Sequence, residues 1–524
     1  MRAKAVLYVF LPCKKVYPLG LTYLAHFLHQ HHPEAPQRIL DLSLMPPGQR
    51  HAALLEAVAD FKPDLIAFSW RDIQMFAPHE GDGSLQHAFD FYYSLNPIKK
   101  TIAAVQGLKA LWFYYNNLRE HFTYFNLIAK KHPGLQMVVG GGAFSVFSKE
   151  VIRRLPEGVI GIIGEGEDAL LNIYEDRSIM NDRCIFRKGN EIITGTQAEP
   201  VKLESSVQDP VYIESIFPQF AAYKGETIGI QTKRGCPYDC QFCLYTYIEG
   251  KRVYTRPAEN VVAEMQSFYD RWGVRRFWFA DAQWIPGSKY YPHCTETLQR
   301  IIQSGMQIEW GGYIRTSLLT KELTQLMVES GLGDTEVAIT SGSQEVLNGM
   351  KMGFQLEKLY EGCRYLKEAG YKGRVILNYS LNSPGDTEET LLESVASYKK
   401  IVGIMGESQV YPALFFLGIQ PNTGLSERLI ASGYLPKNYD PLSMNPLMIK
   451  KLLYNPEPLG KIITKACLKA WKEKPSPPRD PMKKMAGATY ADDSIANIFE
   501  GNTGRDALLN LEAALAERGF QHPA

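Results

Sequence analysis

The sequence predicts an α/β chain: a parallel-sheet domain over residues 1–200, a connector over 201–225, a partial (β/α)6 barrel over 226–424 and a small, mostly helical extension over 425–524. Three observations carry this reading. Continuous apolar segments alternate with amphipathic ones through the first 200 residues, the pattern of strands covered by helices on both faces. A second series of six strand-then-helix repeats follows. Directly after the first strand of that series come three cysteines, Cys236, Cys240 and Cys243, at a strand C-terminus, where α/β folds place their chemistry.

In the first domain the apolar run 4–11 predicts strand one. The turn Pro18-Leu19-Gly20-Leu21 opens a helix to about residue 29. Strand two spans 38–42 with Asp41 at its end, and 51–61 is a helix carrying Leu54, Leu55, Val58 and Phe61 on one face. Strand three, 64–69, ends in Ser69-Trp70-Arg71. Strand four, 135–139, runs into Gly140-Gly141-Gly142, and strand five, 159–163, into Gly164-Glu165-Gly166-Glu167. Glycines at such strand ends let a backbone approach a ligand closely. Residues 72–131 form an insertion rich in aromatics, among them Trp112, Phe113, Tyr114, Tyr115, Phe122, Tyr124 and Phe125. The reading is a helical hairpin that buries these rings, with a lid over a bound ligand as the sharper alternative.

In the barrel, strands are expected over 227–232, 276–280, 307–313, 335–340, 374–381 and 410–417. The helix 260–272 carries Val261, Met265, Phe268 and Trp272 on one stripe, and the helix 356–369 is stopped by Gly370. Asp386, with Glu389 three residues on, reads as a capping box. Beyond the barrel, 435–459 reads as an irregular ordered loop, 460–472 as a helix, 475–481 as a linker and 506–517 as a last helix.

With 57 basic and 56 acidic residues in 524, the net charge is +1, so no global field attracts nucleic acid or a membrane surface. The first apolar run ends at Lys14-Lys15 without a small-residue cleavage site, so it reads as a strand rather than a signal peptide. No apolar run reaches spanning length. Eight cysteines do not make a disulfide scaffold, and a reducing cytoplasm is the expected compartment. His29, His31 and His32 read as a solvated helix end.

The spacing C-x3-C-x2-C can hold three corners of a cubane iron–sulfur cluster and leave one iron open, since a closed site wants four ligands. Zinc or plain structural cysteines are the alternatives, but zinc sites favour paired knuckles, and Cys13, Cys184, Cys294, Cys363 and Cys467 are scattered. The triplet, with Phe242 before its last cysteine, resembles the radical S-adenosylmethionine (SAM) superfamily, in which SAM chelates the open iron of a [4Fe-4S] cluster. The first domain resembles the Rossmann-like cobalamin-binding domain fused to many such enzymes. The matching pieces are the turn at Leu19 and Gly20, Asp41, the pair Gly140-Gly141, and Gly164-Glu165-Gly166. The Asp-x-His-x-x-Gly motif that donates a histidine to cobalt is absent, as is usual in this fused subfamily.

The resemblance covers about residues 1–420 and implies further residues. Ser69, Trp70 and Arg71 fall where a bulky or basic side chain lies under the corrin. Asp281, Arg315, Ser341 and Asn378 fall where SAM is bound. Two positions depart from the family: Ala282 stands for a second Asp, and Thr340 for a Glu. The implied function is a cobalamin-dependent radical SAM enzyme, chiefly a C-methyltransferase using two SAM molecules per turnover, one methylating cobalt and one giving the 5′-deoxyadenosyl radical. The aromatic insertion leans toward a large apolar or polycyclic small molecule. An external flavodoxin- or ferredoxin-like donor would supply electrons. A cyclase or rearrangement enzyme of the tetrapyrrole type, a chain with a degenerate cobalamin domain, and a non-catalytic iron–sulfur sensor are the alternatives.

Overall fold

The computed structural model describes residues 3–73, 84–196, 208–473 and 501–521. The first part is a seven-stranded sheet of β1 (Val6–Phe10), β2 (Gln37–Asp41), β3 (Leu65–Ser69), β4 (Gln136–Gly140), β5 (Ile160–Ile162), β6 (Cys184–Lys188) and β7 (Glu191–Thr194). Their spatial order is 2-1-3-4-5-6-7. The first five strands run parallel, and β6 and β7 close the sheet antiparallel.

Alternation along β1 shows how the sheet is covered. Val6, Tyr8 and Phe10 pack with Leu21, Ala25 and Leu28 of the helix Leu19–His31. Leu7 and Val9 pack on the other face with Leu54 and Val58 of the helix Arg50–Phe61, and with Tyr124, Phe125 and Ile128. Opposite side chains of one strand thus enter two cores, as the period of two demands.

The insertion is a helical hairpin of Ser84–Tyr93 and Pro97–Lys131; residues 74–83 lie outside the described residues. Asn96 caps the long helix through Ile98 N–H and Lys99 N–H, and Pro97 occupies its first turn. Tyr114, Tyr124 and Phe125 are buried, but Trp112, Phe113 and Tyr115 are exposed, Trp112 to 63%. The expectation that the hairpin buries its aromatics therefore holds only in part. Thirty-five residues rise about 52 Å, far beyond the reach of five-residue strands.

The second part carries six parallel strands: β8 (Ile228–Ile230), β11 (Arg276–Phe279), β12 (Glu309–Gly312), β13 (Thr335–Thr340), β14 (Val375–Leu381) and β15 (Val410–Gly418). They form two three-stranded pieces, β8-β11-β12 and β13-β14-β15, bridged at Trp310–Leu332 and Tyr313–Glu336. A hairpin of β9 (Lys233–Arg234) and β10 (Tyr254–Thr255) follows β8, and β16 (Leu453–Tyr454) pairs antiparallel with β15. The helix Pro446–Leu452 and β16 lie in the stretch expected to be irregular. The expected linker 475–481 lies outside the described residues, and the last helix is Gly501–Ala516.

The cap of the helix Glu388–Met405 differs from expectation by one residue. Thr387 and Thr390 form the reciprocal box, because Asp386 is committed to Ser383 N–H and the Thr390 hydroxyl. One continuous core joins the two parts: Val6 and Tyr8 of the sheet belong to the same cluster as Ile228, Phe277 and Leu377 of the barrel. The helix Leu19–His31 lies between them, its Tyr23 hydroxyl donating to Glu264 at 2.9 Å. Among the described residues, no helix is long and apolar enough to cross a membrane.

Candidate active site

The cysteine loop is shaped before any ligand is considered. Gly235 sits at φ +87° with Arg252 packed on it so closely that a Cβ would strike the Arg252 carbonyl. Its N–H donates to Glu249 Oε2 at 3.0 Å, and Cys236 N–H donates to Gly250 O. Cys243 N–H donates to Cys240 O, closing the turn. On the far side, Gln241 N–H donates to Met350 O, and Leu425 N–H donates to Gln241 O. The loop is therefore held from both flanks by the barrel.

Two buried ion pairs anchor the strand that delivers it. Lys233 Nζ lies 2.7 Å from Asp281 Oδ2, and Asp281 also accepts from the Thr232 N–H, Thr232 hydroxyl and Lys233 N–H. Arg234 Nη2 lies 2.5 Å from Glu167 Oε1 and 3.0 Å from Glu165 Oε2. Those carboxylates follow β5, so the glycine–glutamate loop of the first part grips the strand entering the cysteines. Arg183 adds a second grip, donating to Ile248 O and Tyr247 O at 2.7 Å each. Burial holds Glu165 up at about 7 and Glu249 up at about 8, because three carboxylates crowd one guanidinium away from water.

Cys236, Cys240 and Cys243 line a cavity of about 440 Å³ together with Phe242, Tyr238, Gln283, Arg315, Glu336, Thr340, Asn378 and other residues. Burial pushes their thiols up, Cys243 to about 12, so a bound cation is what would make them thiolates. Among the described residues, no three His, Cys, Asp or Glu side chains converge to hold a single metal ion. Arg315 stacks on the Tyr238 ring, 3.5 Å from its centroid, and its Nη2 lies 3.7 Å from Cys240 Sγ. A cation aimed at the cysteines can pair with a ligand carboxylate there. Ile73, from the loop after β3, lines the same cavity, so a loop of the first part reaches the chamber.

The expected site residues divide sharply. Phe242, Arg315 and Asn378 line the cavity. Asp281 does not; its carboxylate is saturated by the strand it anchors. Ser341 is buried and bonded to Ser394 and Ser343, while its neighbour Thr340 lines the cavity at φ +65°, a strained angle for a β-branched residue. Trp70, expected beneath a ligand, is 0% exposed and stacks on His121 at 5.0 Å; Arg71 is exposed. Asp41 is buried, accepting from Ser43 and Tyr223. Ser69 O accepts Leu11 N–H and Gly140 O accepts Trp70 N–H. A Cβ on Gly141 would lie 2.6 Å from Trp70 O, and one on Gly164 2.5 Å from Ile248 O. Leu19 packs on Gly229 and Leu24 on Gly166, while Gly20 faces open space. These glycines make close protein contacts, while Gly20 and Arg71 are exposed and Ile73 lines the cavity. Sequence reasoning passed over Tyr238, Glu336 and Ile73. Glu336 alone left a signal, a charge inside an apolar strand.

Residues 230–397 match the Radical SAM superfamily. An uncharacterized methyltransferase of Pyrococcus horikoshii is 23% identical over 65% of this chain and 73% of its own length. Among solved structures, the radical SAM methyltransferase TsrM of Kitasatospora setae, with tryptophan substrate and a SAM analogue bound, matches at TM-score 0.63 and 19% identity over 82% of this chain and 76% of that one. The cobalamin-dependent SAM radical enzyme OxsB, with aqua-cobalamin and SAM bound, matches at 0.61 and 14% over 99% and 82%. Both likenesses are of fold.

Proposed function

From a chain whose residues 230–397 are a radical SAM domain, we propose a cobalamin-dependent radical SAM enzyme that transfers a methyl group to carbon in a small molecule with a large apolar part. The observation that supports this reading is one cavity lined both by the three cysteines and by Ile73, from the loop that leaves β3 of the first sheet. When bound, the cluster supplies an electron that splits the sulfonium bond of SAM, and cobalamin supplies a methyl carrier.

The chain's own residues hold and shield. Cys236, Cys240 and Cys243 would ligate the cluster. Arg315, propped by Tyr238, would pair with the SAM carboxylate. Phe242, Phe354, Phe415 and Phe416 line the wall and exclude water, which protects a radical better than acid–base groups could. For the corrin, the exposed edge at Gly20 and the cavity-lining Ile73 are the candidate contacts. An external low-potential donor would deliver the electrons.

With dithionite standing in for that donor, the anaerobically reconstituted protein should form 5′-deoxyadenosine from SAM. Cys240→Ala should lower that rate by at least about 100-fold, since an incomplete cluster cannot bind and reduce SAM. Cleavage that survives Cys240→Ala would remove the cluster assignment and with it the proposed function.

A further inference from the structure

The net charge of +1 conceals a local imbalance. From Phe91 to Arg119 the chain has no acidic residue, while Lys99, Lys100, Lys109 and Arg119 are exposed. Nine of the fourteen large hydrophobic side chains that stand exposed among the described residues fall in the same stretch, between Phe91 and Tyr115. Exposed apolar residues scattered singly are ordinary; this concentration marks a contact surface.

The helix Pro97–Lys131 puts these residues in line. Ile98, Ile102, Val105, Leu108 and Trp112 follow at intervals of four, three, three and four, the repeat that keeps one helical face. Ile98 is 68% exposed, Leu108 65% and Trp112 63%. The stripe from Ile98 to Trp112 is about 21 Å long. Ala103 and Tyr114, on the opposite face with Gly107 and Ala110, are buried. A surface helix ordinarily turns its large apolar residues to its own core; this one turns its small residues inward and its large ones out. Lys109 stands within the stripe, Arg119 continues it, and Lys99 and Lys100 flank its start.

An occupant must cover apolar side chains and neutralise cations at once. A second copy laid on the same face would cover the stripe but bring like charges together. A nucleic acid would neutralise the cations and leave Ile98, Ile102 and Val105 in water. An anionic bilayer does both: the acyl boundary takes the apolar face, Trp112 and Tyr115 sit at headgroup depth, and lipid phosphates meet the lysines. We propose that the outer face of this helix, Ile98 to Tyr115, docks the chain on the surface of an anionic lipid bilayer, lying in the interface without spanning it. The far end of the helix stays with the protein, His121 stacking on Trp70 at 5.0 Å, beside the loop whose Ile73 lines the cavity. Apolar substrates would then be met where they concentrate, a consequence that rests on the proposed function; the surface itself does not.

The test sediments the full chain with vesicles of phosphatidylglycerol and phosphatidylcholine in equal parts, and with vesicles of phosphatidylcholine alone. At low salt, wild type should bind the mixed vesicles at least about tenfold more tightly than the neutral ones, and high salt should shrink the difference. Ile102→Asp/Trp112→Asp should weaken binding to the mixed vesicles by at least about tenfold. Lys99→Glu/Lys100→Glu/Lys109→Glu should remove the preference for phosphatidylglycerol. Both variants should keep the wild-type melting midpoint, because the altered side chains are exposed. Wild type that stays in the supernatant with both vesicles would overturn the proposal. So would Ile102→Asp/Trp112→Asp that binds as wild type does, which would reduce the contact to adsorption by charge. A lipid-free wild-type dimer that the same variant converts to monomer would overturn it too, and give the face to a second copy. Sedimentation does not read turnover, so failed SAM cleavage would count against the proposed function alone.

Discussion

Gly235→Ala should yield a chain that folds but does not retain its iron. The glycine occupies φ +87°, where an L side chain is strained by roughly 1–2 kcal/mol, and its Cβ would collide with the Arg252 carbonyl, a rigid backbone atom. The loop can relieve both only by moving away from residues 250–253, which breaks the Cys236 N–H to Gly250 O bond and displaces the first cysteine. A local penalty of about 2 kcal/mol or more depopulates the cluster-ready loop on the order of 30-fold. Iron and sulfide per chain should fall severalfold after reconstitution, while the melting midpoint shifts by a few °C. Stoichiometric iron in Gly235→Ala would show that the loop has room that its packing denies.

Arg234→Leu should be strongly destabilising. Arg234 and Glu167 are each 3% exposed, and removing one partner of a buried pair costs about 3–5 kcal/mol because the other charge is stranded. Here two carboxylates lose their shared guanidinium. Arg234→Leu/Glu167→Leu should regain about 1–2 kcal/mol of that loss, a coupling measurable by a double-mutant cycle in urea. The same cluster fixes a pH trend. Glu165 and Glu249, held up at about 7 and about 8 against an unfolded value near 4.5, bind protons in the native state that the unfolded chain has already lost. Stability contributed by these groups is therefore present below about pH 4.5 and declines as pH rises through 7 and 8. Glu249→Gln, which keeps an acceptor for Gly235 N–H, should flatten that decline. An unchanged slope would mean that Glu249 is ionised throughout.

Much of this architecture was legible because local patterns and tertiary needs agree. The strands of the first sheet are apolar on both faces since two cores cover them, and the cysteine spacing needs no fold to be read. Where a residue's surroundings differ from expectation, the cause is shared: contacts between segments far apart in sequence. Glu165 and Glu167 stand on a glycine-rich loop and read as ligand contacts, yet the distant Arg234 pairs with both. Asp281 ends its strand where SAM residues sit, but Lys233 draws it into the anchor. Trp70 follows a strand end, yet the long helix of the insertion covers it and supplies His121 as a stacking partner. Asn378 was legible as an inward polar residue; that it faces Glu336 depended on the register of β13 against β14.

The account stands on two cofactors meeting at one cavity. The decisive measurement is S-adenosylhomocysteine formation by reconstituted protein under titanium(III) citrate, which reduces the corrin to cobalt(I), with and without hydroxocobalamin, after gel filtration has removed unbound corrin. About one corrin should be retained per chain, and S-adenosylhomocysteine should form from SAM only when the corrin is present. A chain that cleaves SAM to 5′-deoxyadenosine but retains no corrin and forms no corrin-dependent S-adenosylhomocysteine would contradict it.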